Sequence, residues 1–148
     1  MAMPKGYLTN INIKNTKIGP ERRQEILETL LRINKDFKPD IVFVPSTHDI
    51  HQDHQVITNE AIRAFRTSTI LGYNEPWNMT HIVSNYFVVL EVTDTEAKLN
   101  ALDEFKSRSH IPYFNREYQK SILRYNGIKI KEFEAEALEV IRVIERKI

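Results

Sequence analysis

Three of the chain's five histidines, His48, His51 and His54, lie close together and are interleaved with Asp49 and Asp53. Imidazole and carboxylate are the donors of choice for a borderline divalent cation. The same pair also moves protons near neutral pH. His51 and His54 are three residues apart, so they share a face if a helix begins here. Asp49, His51 and Asp53 alternate, so an extended stretch would align them instead. In either case a carboxylate can reach a neighbouring imidazole, where it fixes the tautomer of a metal-bound ring or favours the charged form of a catalytic one. Plainer readings stand beside these. Asp53 can serve as a helix N-cap, worth about 1 kcal/mol, and His48 reads as a solvated loop residue. The chain has no cysteine, so any metal must be held by His, Asp or Glu, and a Cys nucleophile and a disulfide scaffold are excluded.

These residues need elements to position them. Ile41-Val-Phe-Val44 is a short apolar run rich in β-branched residues, which reads as a buried parallel strand. Gly19-Pro20 and the three-to-four spacing of Ile26, Leu27, Leu30, Leu31 and Phe37 predict a helix over about 20–36 before it. Val56, Ile57, Ala61, Ile62 and Phe65 predict a second helix over about 53–67 after it. The histidine loop thus leaves the carboxyl end of a strand and enters a helix, where ligands bind in open α/β sheets.

Further along, strands are expected at 69–73 and 82–92, and helices at about 95–108 and 114–125. Residues 130–146 are ambiguous, because Glu134-Ala-Glu-Ala favours helix and Val140-Ile-Arg-Val-Ile144 favours strand. Residues 1–18 read as an irregular lead-in with one short edge strand. The alternation of helix and strand argues for an α/β layer fold.

The 148 residues fit a single domain, 1–148, with 41% hydrophobic and 28% charged residues. A net charge of +1 gives no reason to expect nucleic acid as partner. No apolar run approaches the ~20 residues of a membrane span. Absent cysteine and an opening without an apolar leader fit a cytoplasmic protein. Between Lys106 and Lys131 seven basic residues face one acidic residue, Glu117; a solvated helix face is the simpler reading and a phosphate-bearing ligand the alternative. Trp77 can stack on a sugar ring or anchor its own loop. His81 and His110 read as structural and surface residues.

Pro39-Asp-Ile-Val-Phe-Val-Pro-Ser46, Asp49-Ile-His-Gln-Asp-His54 and Glu60-Ala-Ile-Arg-Ala-Phe65 together resemble the PIG-L/LmbE family of zinc-dependent de-N-acetylases. Ile70 to Asn78, Lys98 to Ser107, and Gly127 to Ala137 with its Glu134-Ala-Glu-Ala are similar to later segments of that family, in the same order. The resemblance implies an α/β, Rossmann-like, mostly parallel sheet flanked by helices. It implies a zinc cofactor with His54 as a metal ligand. By the same resemblance His51 is the imidazole that acts as general acid or steadies an oxyanion, Asp53 the carboxylate that orients a neighbouring imidazole, and Asp49 the first carboxylate of the motif. The implied reaction is hydrolysis of the N-acetyl group of an amino sugar or glycoconjugate.

The chain departs from the family at two points: Ser107-Arg-Ser-His-Ile-Pro stands where the family usually has Ser-Gln, which leaves His110 without a family role, and a whole motif is missing. The family's His-Pro-Asp-Asp motif, which supplies its other ligands and base, has no counterpart here, since no His precedes Pro and no two Asp are adjacent. The expectation is therefore an N-terminally truncated version, completed by a homo-oligomer or by a complementing N-terminal chain. Two alternatives are a non-catalytic binding or oligomerisation module and another metal-dependent hydrolase such as a phosphoesterase.

Overall fold

A computed structural model of the chain describes residues 19–145. The edge strand expected within 1–18 lies outside the described residues. A short 3-10 turn at Pro20–Arg22 leads into α1 (Arg23–Phe37). Lys38 closes α1 in the left-handed conformation (φ 47°), donating its N–H to Asn34 O, and Pro39 then prevents continuation. There follow β1 (Ile41–Pro45), α2 (Gln52–Ala64), β2 (Thr69–Tyr73), β3 (Tyr86–Val89), α3 (Val92–Asp103), α4 (Arg116–Lys129) and β4 (Ala135–Arg142).

Among the described residues four strands form one sheet in the order β1-β2-β4-β3. β1 and β2 pair in parallel, from Ile41↔Thr69 to Pro45↔Tyr73, with α2 as the crossover. β4 pairs antiparallel with β2 on one side and with β3 on the other. Three strands therefore run the same way, and β4 lies between two of them in the opposite sense. The α/β class and flanking helices are as expected. The mostly parallel sheet becomes a mixed one, because the tail that read as either helix or strand forms β4 and enters the middle of the sheet.

One face of the sheet is closed by α1 and α2. Leu27, Ala61, Ala64 and Phe65 bury against Val44 and Ile70, with Leu30, Ile33, Val42 and Ile141 around them. At about 25 cal/mol per Å2 of apolar surface removed from water, this is what holds the two helices to the strands. Glu60 adds a polar tie. Its fully buried carboxylate accepts from Arg23 Nε on α1 and Arg63 Nη1 on α2, each at 2.5 Å. Leu31 and Phe37, expected inside, are about half exposed: Leu31 falls off the stripe of Ile26, Leu30 and Ile33, and Phe37 is the last residue of α1.

Leu99 of α3 and Leu123 of α4 are both fully buried. α4 packs closely on the chain entering β4 at Gly127, where an added Cβ would lie 2.7 Å from Glu132 O. The helix expected to reach 108 ends at Asp103, so Phe105 leaves the helical face and is exposed. Among the described residues no helix is long and apolar enough to cross a membrane.

Candidate metal and acid–base site

The loop from β1 to α2 is pinned at successive backbone points. Ser46 N donates to Tyr73 O at 2.8 Å, Asp49 N to Ser46 O at 3.1 Å, and Ile50 N to Asn78 O at 2.9 Å. Asp49 also makes an antiparallel bridge with Met79. The loop is thus fixed both to the end of β2 and to the segment beyond it.

On this frame the Asp49 side chain, 1% exposed, divides its two oxygens. Oδ1 accepts the His51 N–H at 2.7 Å, and Oδ2 lies 2.7 Å from His54 Nδ1. His54, on the first turn of α2, is also 3.8 Å from Glu75 Oε2. The other Glu75 oxygen accepts the Tyr113 hydroxyl at 2.7 Å. Trp77, well exposed, meets Tyr113 edge to face at 5.2 Å. His51 caps α2, its Nδ1 accepting the Asp53 N–H at 3.2 Å, and its ring stacks on His54 at 4.6 Å. A neutral His51 therefore carries its proton on Nε2.

Asp49, His54 and Glu75 together could hold a metal ion, since one ligand atom from each lies within 4.8 Å of the others. The donor set of one imidazole and two carboxylates suits a divalent cation. The fit extends outward. The His51 N–H and the Tyr113 hydroxyl each occupy one carboxylate oxygen, which leaves the second oxygen of each acid turned toward His54.

The electrostatics agree with hydroxyl donors beside anions. Burial raises the Tyr113 phenol above its usual value, and its hydrogen bond to Glu75 adds to this. Burial, then the charges of Glu75 and Asp49, raise Tyr73. Both stay protonated at neutral pH. An open cleft of about 1130 Å3 begins at His51, His54 and Glu75 and continues past Tyr73, Trp77 and Tyr113, between the sheet and the helices α3 and α4.

The four residues singled out by sequence are thus placed differently. Asp49, His51 and His54 come together. The Asp53 carboxylate stands apart, with no hydrogen bond or ion pair to a described residue; the carboxylate on an imidazole is that of Asp49. His48 is not a solvated residue but is half-buried with its ring 3.9 Å from that of His81. His110 is exposed, as expected. Glu75 and Tyr113 were missed. Glu75 could have been found, for it lies two residues past the end of β2 and so shares the carboxyl edge of the sheet with Asp49. No local signal marks Tyr113.

No family model matches this sequence, and no curated protein matches it. Solved structures do. The conserved protein TT1542 from Thermus thermophilus superposes with a TM-score of 0.65 at 20% identity, over 86% of this chain and 61% of that one. The zinc-inhibited form of teicoplanin deacetylase Orf2 superposes at 0.64 and 13% identity, over 93% and 58%. GalB, the 4-carboxy-2-hydroxymuconate hydratase from Pseudomonas putida KT2440, superposes at 0.62 and 17%, over 84% and 62%.

The chain shares their fold. It spans about three-fifths of the length of each of them.

Proposed function

We propose that the chain is, or forms part of, a zinc-dependent hydrolase of the PIG-L/LmbE type that removes the N-acetyl group from an amino sugar or glycoconjugate. The observation that carries this reading is the convergence of Asp49, His54 and Glu75 at the carboxyl edge of β1 and β2, at the head of an open cleft. The Asp49-Ile-His-Gln-Asp-His54 segment and the shared fold with a deacetylase support it.

In this reading Asp49, His54 and Glu75 hold the zinc. Zinc, when bound, supplies Lewis acidity toward an amide carbonyl. His51 presents its Nε2–H to the cleft, where it can donate to a developing oxyanion or to the departing amine. Asp53 orients that ring through its backbone N–H on Nδ1. Tyr113 steadies Glu75, and the exposed Trp77 beside it offers a flat apolar face for a sugar ring.

The test is metal content and turnover together. Purified chain should carry stoichiometric zinc by elemental analysis and release acetate from N-acetylglucosamine conjugates. Absence of both overturns the proposal in favour of a non-catalytic module. Zinc with activity on phosphoesters but not acetamides replaces it with a phosphoesterase.

A further inference from the structure

We propose that Glu139, on the last strand, is a positioning residue for the metal-ligating loop, an inference that rests on the metal reading of that loop. Glu139 is 7% exposed and lies on β4, two strands away from β1. Its carboxylate nevertheless reaches the end of β1. Oε2 accepts from Ser46 Oγ at 2.7 Å and from Thr47 N at 2.9 Å, and Oε1 accepts from Thr47 Oγ1 at 2.5 Å. All three donors belong to the two residues that open the loop ending in Asp49 and His51.

The strand between makes room for this reach. Gly72 on β2 is the register partner of both Val44 and Glu139. A Cβ at Gly72 would stand 2.9 Å from Glu139 Oε2 and 3.0 Å from Ser46 Cα. Glycine here leaves a channel across β2 through which a β4 side chain holds the β1 terminus. Ser46 in turn passes the constraint on, its Oγ accepting the His48 N–H at 3.2 Å and its carbonyl the Asp49 N–H at 3.1 Å. Glu139 hydrogen-bonds Ser46 and Thr47 rather than Asp49 or His54. It fixes the backbone from which they project, and a buried carboxylate with three donors is costly to remove or misplace.

Three arrangements test this. Glu139→Ala removes the anchor. Glu139→Gln keeps shape and hydrogen bonding, since the Gln carbonyl can accept from Ser46 and Thr47 N while the Thr47 hydroxyl turns to accept. Ser46→Ala with Thr47→Val removes the side-chain donors and leaves β4 untouched, so it covers the case in which Glu139→Ala fails to fold. The first readout is amide hydrogen exchange of metal-free protein. We expect exchange across residues 46–51 to rise about tenfold or more in Glu139→Ala and in the double variant, with α1 unchanged, and to return to within about threefold of wild type in Glu139→Gln. The second is zinc affinity by chelator competition, expected to fall about tenfold or more in the same two variants and to recover in Glu139→Gln.

Unchanged exchange in 46–51, or a rise spread evenly over the protein, overturns the proposal. So does a Glu139→Gln variant that behaves like Glu139→Ala. If wild-type protein takes up no zinc, the metal reading fails by itself and the exchange readout still decides whether Glu139 holds the loop.

Discussion

Asp49 Oδ2 stands 2.7 Å from His54 Nδ1 across the junction of a loop and a helix. The two residues reach each other because His51 starts α2 between them and turns the chain, while its own N–H holds the second Asp49 oxygen. A buried carboxylate thereby has a donor on each oxygen, and an imidazole has its orientation set before any ligand arrives.

Replacing Asp49 by Asn keeps its volume and removes its charge. Zinc affinity should fall about 10- to 100-fold, read by chelator competition. Wild-type affinity in this variant would remove Asp49 from the site.

The two stacked histidines should separate by role. His54→Ala should abolish metal binding. His51→Ala should retain the metal and lose turnover, by about 100-fold or more if its proton is used in the reaction. Zinc loss in His51→Ala would make His51 a ligand.

Tyr113→Phe deletes one hydroxyl beside Glu75. Stability should drop by about 1 kcal/mol in a urea melt, and zinc affinity should weaken as Glu75 gains freedom. Equal affinity in the two proteins would show that Glu75 needs no such support.

The acid limb of stability should report Glu139. Burial by itself would raise its carboxyl, but the hydrogen bonds from Thr47 and Ser46 outweigh this and hold it below the usual range; the nearby His48 helps. A carboxyl lowered in the folded state contributes stability above its unfolded value, near 4.3, and loses it as pH falls through the folded value. Wild-type protein should therefore lose stability more steeply below about pH 4.3 than Glu139→Gln does. Glu96, lowered by its hydrogen bond to Lys120 and by Arg116, has the same sign and stays in both proteins. Parallel acid limbs would contradict the hydrogen-bonded state of Glu139.

Gly127→Ala should destabilise by about 1–3 kcal/mol in denaturant melts, since the new Cβ meets backbone at Glu132 O and Glu134 N rather than a side chain that can swing away. A neutral result would mean that α4 can lift from the chain before β4.

Much of the frame was legible because it is local. The β-branched run 41–44, the periodic apolar residues of α2 and the turn residues at 38–40 each carry their signal within a few positions. The histidine loop was legible for the same reason, as its donors lie within one short segment. What escaped was assembled at a distance. Glu75 comes from a second loop, Tyr113 from beyond α3, and Glu139 from a tail whose composition pulled toward both helix and strand. Asp53, read as a carboxylate on a neighbouring imidazole, uses its backbone N–H on His51 instead, and the carboxylate beside His54 is that of Asp49, five residues back along the chain. The strand predicted over 82–92 shortens to Tyr86–Val89, the stretch whose residues pair in register with β4.

The inner position of β4 has a consequence for the nascent chain. The donors that could hold a metal span residues 49 to 75, yet the carboxylate that braces their loop arrives 92 residues after Thr47. A polypeptide emerging from the ribosome has its candidate ligands long before it can hold them in register. Until β4 slots between β2 and β3, β2 is an open edge and the loop has no brace from beneath. Closure over such sequence separation is slow relative to helix formation. Maturation of the candidate site is therefore tied to the arrival of β4, and a chain stopped short of β4 would keep every histidine while lacking the buried acid that sets their loop.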